Sequence, residues 1–408
     1  MLQGETFFIL GLPKHDGPYE STNYTIAKML AEHNTVYYID NPYTWKDFAT
    51  EKNSPQVLKR KKLGLFKKAS LGLLSTENPN LHIVVTPLLP SLNFVPEGLV
   101  YRNLLNWAET IIRNRIKQII QAKNIQEYIY INSFNFHYPK VAKGLQPKQT
   151  IYYCVDPLVR PFDVKHGLIS QQYLIETSDI VLCTSKKLYQ DIKPQNDRTY
   201  FVPNAADITH SSKALLASTQ PNEAVMKIAA PRIGYFGNIE RRIDFDMLQQ
   251  VTQALPQYHF IFVGPVEAEF IPSWFHEQAN IHLLGRMPYS EMPGVLKAFD
   301  VALLPFKKDE VSATIFPLKL FEYLGAGKPT VAINFNDDLL AFTGNSVPFC
   351  STAQELTKQI QDAYEQRADE QKIQERVAIA QGNTWQQRLE LIEKIIVNNI
   401  ETLPDYAY

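Results

Sequence analysis

The stretch FPLKLFEYLGAGKPTVA, residues 316–332, sets a proline, a short apolar-faced helix, two nearby glycines and the start of a strand in one run. Pro317 needs no amide partner in a helix's first turn, and Gly325 or Gly327 suits the far end. A helix running directly into PTVAI is one step of a βαβ unit, so repetition of this pattern along the chain implies a parallel sheet. Lys319 and Glu322 stand three apart, on neighbouring positions of one helical face. On residue types alone they form a surface ion pair of little weight. The alternative is a ligand held by helix amides, a lysine and a carboxylate.

Outward from this run the pattern does repeat. Toward the amino terminus of the same half lie candidate strands IGYFG (233–237), YHFIFVG (258–264), NIHLLG (280–285) and DVALLPF (300–306), each followed by loop or helix signals. These predict one Rossmann-like domain. Further upstream come FFILGL (7–12), a helix near 21–33, TVYYID (35–40), LHIVVTP (81–87) and a long amphipathic segment at 98–122. EYIYIN (127–132), TIYYCV (150–155), DIVLCT (179–184) and TYFVPN (199–204) complete a first doubly wound domain. Residues 208–230 lose the strand rhythm and gain Ser, Thr, Gln and Pro, which marks a linker or irregular connection. Trp385, Leu389, Ile392, Ile395 and Ile396 recur at helical spacing, which predicts a final helix crossing back to the first domain. The expected α/β architecture is therefore residues 1–207 plus 385–408 as one domain and 208–384 as the other.

A chain of 408 residues favours two cores over one. Its 41 basic and 42 acidic residues give a net charge of −1, so no nucleic-acid partner is expected. Cys154, Cys183 and Cys350 are scattered and odd in number, which fits reduced thiols rather than a disulfide framework or zinc site. The amino terminus lacks a basic leader and reads as a buried strand, and no apolar run is long enough to span a bilayer. A cytoplasmic protein, soluble or peripheral on the membrane, is expected.

Open α/β sheets bind ligands at the carboxyl ends of their strands, so a cleft shared by two such domains is the expected ligand site. In GYFGNIERR (234–242), Gly237 and Asn238 follow a strand, with Arg241 and Arg242 just beyond, as a phosphate-side loop would require. The same residues also suit a plain strand-to-helix turn with solvated arginines. The spacing is not G-x-G-x-x-G, which disfavours a dinucleotide cofactor. Asp244 and Asp246 form a D-x-D, but residues two apart on a helix point to different faces, so they read as acids at a helix start. His137 in NSFNFHYP and Asp156 in YYCVDP end candidate strands, where either could act as base or orient a hydroxyl, or serve only structure. KRKKLGLFKK (59–68) interleaves basic and apolar residues, which fits an anionic membrane surface as well as a solvated loop.

Taken together, VPNAAD (202–207), GYFGNIERRIDFDML, FVGPV (262–266), LLGRMPYSEMP (283–293), DVALLPF and FPLKLFEYLGAGKPTV resemble the GT-B fold glycosyltransferases. The likeness is to the bacterial group-one type that builds surface polysaccharides, including teichuronic-acid-type transferases. The resemblance implies transfer of a sugar from a UDP- or GDP-type nucleotide diphosphate donor to a glycan or lipid-linked acceptor, with no metal and no cofactor beyond the donor. It implies Glu322 on the ribose hydroxyls, and the backbone around Phe316, Pro317 and Leu318 facing the sugar or diphosphate. Pro317 itself donates no hydrogen bond. Where the family often has a second glutamate eight positions earlier, this chain has Thr314. The family's phosphate-loop arginine falls near Asn238, leaving Arg241, Arg242 and Lys319 as candidate cations. In the first domain, Gly11, His15 and Asp16 of GLPKHDGPYES would border acceptor and donor phosphates. A nucleotide-sugar epimerase on the same fold, or a nucleotide- or glycan-binding pseudo-enzyme, are the other readings.

Overall fold

The computed structural model describes residues 2–17, 21–66, 70–159 and 161–402. The chain forms two compact units: one of residues up to Pro203 together with the chain from Leu389, the other Asn204–Arg388.

The first unit is built on eight strands: β1 (Thr6–Gly11), β2 (Thr35–Ile39), β3 (Leu73–Ser75), β4 (Leu81–Val84), β5 (Ile129–Ser133), β6 (Gln149–Cys154), β7 (Ile180–Cys183) and β8 (Thr199–Phe201). Their order is β3-β4-β2-β1-β5-β6-β7-β8, parallel except for β3 against β4. The central strands are buried along nearly their whole length, as strands covered on both faces must be. The Leu99–Lys123 helix supplies Leu105, Ile112, Ile116 and Ile119 to one face of this core. The order reverses between β1 and β5, so the loops after these strands flank the crevice of the sheet.

The second unit holds β9 (Arg232–Phe236), β10 (His259–Val263), β11 (Ile281–Gly285), β12 (Val301–Leu304), β13 (Thr330–Ile333) and β14 (Phe349–Cys350). They are ordered β11-β10-β9-β12-β13-β14, all parallel, with the reversal between β9 and β12. The two short edge strands β3 and β14 were not among the expected strands, being too short for an alternation to register. Residues 208–230 are irregular, as expected, but they are not a free linker. They form the short helices Ile208–Ser211 and Glu223–Met226, and Ala214 and Val225 are buried in the second core. The final helix runs Trp385–Thr402, and Asn399 on it hydrogen-bonds Tyr200 within the first unit. No described helix is long and apolar enough to cross a membrane.

Candidate functional site

The helix of the opening stretch runs Leu318–Gly325, with Pro317 at the cap position in extended conformation rather than inside the first turn. No side chain caps its amino end. Leu320, Phe321, Tyr323 and Leu324 are fully buried, and the Tyr323 hydroxyl accepts from the Phe236 amide at the end of β9 at 3.1 Å. Anchoring this face leaves Lys319, on the opposite one, beside the loop after β9. That loop lies at the sheet reversal, where a doubly wound sheet binds its ligand.

Lys319 and Glu322 are not simply partners of each other. Glu322 accepts a hydrogen bond from the Tyr289 hydroxyl at 3.2 Å. Tyr289 in turn stacks on His210, whose Nε2 meets the Tyr289 carbonyl oxygen at 2.8 Å. Lys319 reaches along Gly237, where an added Cβ would stand 2.2 Å from its Cε. Gly237 has φ +136°, a region that strains other residues, and its carbonyl oxygen lies where a Cβ on Gly264 would fall. The loop can therefore close on the lysine only because both positions are glycine.

The Lys319 ammonium sits 5.5 Å from the Tyr235 ring centroid and 5.6 Å from that of Phe306. The Arg242 guanidinium lies 5.6 Å from the same Phe306 ring, while its Nε donates to the buried Glu240. Burial first, and the neighbouring Arg242 second, push the Lys319 pKa down to about 8, against the pull of Glu322 and Glu240. Two cations converging on one ring at a glycine loop form a ready site for an anion.

The other sequence candidates in this unit divide. The Asn238 carbonyl accepts from the Tyr235 hydroxyl at 2.9 Å, so this residue shapes the loop through its backbone. Arg241 is more exposed and stands 4.0 Å from Glu240. Thr314 is buried and turns its hydroxyl onto the Val311 carbonyl. The Phe316 side chain belongs to the core, stacked on Phe321, and its carbonyl accepts from Asn204 at 3.4 Å. Asp244 caps the Phe245–Ala254 helix by accepting from the Met247 amide, as the reading of a helix-start acid expected.

In the first unit His15 and Asp16, expected to border the phosphates, meet Arg60 and Asp40. Arg60, fully buried, donates two hydrogen bonds to Asp16, at 2.8 and 2.6 Å, and others to Asp40. His15 is also drawn in: its amide donates to Asp40 at 2.9 Å and its Nδ1 lies 3.3 Å from the same oxygen. Despite desolvation, Arg60 holds the Asp16 carboxyl below its usual range. His15, Asp16 and Asp40 have metal-ligand spacing, but the guanidinium already occupies their shared space, and the set does not suit a further cation. Gly11 lies under the Tyr38 hydroxyl, and its carbonyl accepts from Asn135 at 2.9 Å, joining the loops after β1 and β5.

His137, just after β5, lines an open pocket of about 470 Å³ with Asn41, Lys46, Asn93, Tyr101 and Tyr138. Burial lowers the His137 pKa, opposed by Asp163 and reinforced by His166, so its neutral form is favoured. Asp156, after β6, is exposed and does not line this pocket. Tyr289, Glu240 and Arg60 carry much of the local geometry, yet none was singled out from the sequence. Tyr289 stood inside the quoted LLGRMPYSEMP, and only the fold shows that it meets Glu322.

With this geometry in place, comparison with known proteins defines the class. The chain has the GT-B fold of glycosyltransferases, as the sequence resemblance implied. Sucrose-phosphate synthase from Thermosynechococcus elongatus matches 98% of this chain and 100% of its own, at 12% identity and TM-score 0.67. Anabaena HepE, solved in complex with UDP, matches 97% and 100% at 14% identity and TM-score 0.61. Residues 241–394 match a family model described as Glycosyl transferase-like. TuaH of Bacillus subtilis strain 168, named for glycosyl transfer in teichuronic acid biosynthesis, is 26% identical over 204 residues. That similarity covers 46% of this chain and 50% of TuaH, so it spans about half the length of the curated relative.

Proposed function

We propose that this protein transfers a sugar from a nucleotide diphosphate donor, of UDP or GDP type, to a glycan or lipid-linked acceptor of the cell surface. The observation that carries this is the pairing of Lys319 and Arg242 at the Phe306 ring, with Glu322 one turn along the same helix. Glu240 engages Arg242 through Nε, and a diphosphate between Arg242 and Lys319 would meet both cations, while a carboxylate kept in place by Tyr289 can accept from both hydroxyls of a ribose diol.

In this reading the diphosphate lies against Lys319, Arg242 and the uncapped amides at Leu318 and Lys319, over Gly237. As the anomeric C–O bond breaks, these donors take up the charge growing on the leaving phosphate. The protein supplies that charge from its own side chains, with no metal assigned. An acceptor hydroxyl attacks the anomeric carbon and gives up its proton. His137, neutral and lining the first unit's pocket, and Asp156 are the residues assigned to that proton. HepE, solved with UDP, and TuaH, named for teichuronic acid biosynthesis, support a uridine donor and a glycan acceptor.

Calorimetric titration with UDP, GDP and their sugars tests the donor half of the assignment. Binding of at least one nucleotide, lost in Glu322→Ala with the fold intact, is expected. A protein that binds none of them is not this enzyme.

A further inference from the structure

Among the described residues, the first unit carries a set of large apolar side chains in water that its own packing does not explain. Trp45 is 53% exposed, Leu58 45%, Phe66 50% and Phe94 80%. Trp45 and Phe66 are neighbours, and Leu58 stands on the helix that follows Trp45's own. Trp45 and Phe66 have ring centroids 6.1 Å apart, and Phe48 meets Phe66 edge-on at 5.1 Å. The Trp45 amide donates to Leu89 and the Lys46 amide to Ser91, which ties this corner to the loop bearing Phe94.

The Trp45–Glu51 helix carries Lys46, Asp47 and Glu51, whereas the helix after it carries charge of one sign. The Pro55–Leu63 helix has no acidic residue and shows Leu58, Lys59 and Lys62 on its outer side. Its inner side is Val57 and Arg60. Of the basic residues in 59–68, Arg60 is turned inward, its guanidinium locked onto Asp16 and Asp40. The lock has a consequence for its neighbours: with Arg60 fixed inward, the helix holds Leu58, Lys59 and Lys62 outward. Lys61 lies 4.9 Å over the Phe48 ring. Lys67 and Lys68 lie outside the described residues.

We propose that Trp45, Leu58, Phe66 and Phe94, with Lys59 and Lys62, dock the first unit onto an anionic lipid bilayer. Aromatic rings with a basic fringe and no spanning helix are the composition of an interfacial anchor. A solvated loop would not hold the exposed Trp45 and Phe66 rings together over a half-buried Phe48. The pocket containing His137 is lined by both Lys46 and Phe94, so it opens beside the docking face. The docking proposal stands independently of sugar transfer.

Co-sedimentation of the full chain with vesicles tests it, comparing phosphatidylcholine alone with equimolar phosphatidylglycerol and phosphatidylcholine. Binding to the anionic vesicles alone, weakened by salt, is expected. Each lysine near an anionic surface contributes roughly fivefold in partitioning, so K59Q/K62Q should lose about 25-fold. W45A/F66A should also release the protein, while its melting curve and UDP affinity stay those of the wild type. No binding to anionic vesicles, equal binding to both vesicle types, or unchanged binding by either double variant would each overturn the proposal. So would a dimer that W45A/F66A dissociates, since a second copy would then be what covers the face.

Discussion

Replacing Lys319 by Met should make the protein more stable and a worse binder of nucleotide. The half-buried ammonium lies against Gly237, Tyr235 and Phe306, with Arg242 nearby, and its pKa falls from 10.5 to about 8. A base with a depressed folded pKa costs stability while charged. That cost is full below pH 8 and fades as pH rises toward the unfolded value of 10.5. Methionine keeps the stem and removes the charge, so at neutral pH the variant should gain about 1–3 kcal/mol. The same change removes a charge-assisted hydrogen bond to phosphate of about 1.5–3 kcal/mol, or roughly 10- to 150-fold in UDP affinity. Wild-type affinity should fall as pH rises past 8, while the variant's should not follow it. Thermal melts and calorimetric titration of UDP, near neutrality and about two pH units above it, read both effects. UDP affinity unchanged in the variant, or the same pH slope in both proteins, would refute the phosphate assignment.

Glu322→Ala should abolish measurable UDP binding, and Glu322→Gln should weaken it by about 1.5–3 kcal/mol through loss of the charged acceptor; an unchanged dissociation constant refutes the ribose contact. Arg60→Met should destabilise the first unit by about 3–5 kcal/mol, because Asp40 is left buried beside an uncharged chain; urea unfolding followed by circular dichroism measures it. Glu109 is buried, and its pKa is pushed up to about 7 chiefly by desolvation, although its Oε1 accepts from the Lys140 amide. Its contribution to stability is therefore full below the unfolded pKa of 4.5 and is lost as pH climbs through about 7. Glu109→Gln should raise the melting temperature at alkaline pH and change it little in acid, as differential scanning calorimetry would show.

The sequence by itself determined the fold. Strand and helix periods are local properties of the chain, and buried strands such as FFILG and FIFV can satisfy their backbone only in a sheet covered on both faces. It also pointed to Glu322, Lys319 and Gly237, because a helix following a strand-end loop brings particular residue types to a sheet's carboxyl edge. What surrounds those residues was decided by tertiary structure. Tyr289 is 33 residues from the Glu322 it holds. Arg60 is 44 residues from Asp16, and no pattern within KRKK distinguishes the one cation that turns inward from those that stay in water. Burial and pairing across such separations depend on which faces pack, and that choice joined His15 and Asp16 to Arg60 and Asp40 in an ion cluster. It also left Trp45 and Phe66 together in water, where a charge run legible in the sequence acquired its apolar half.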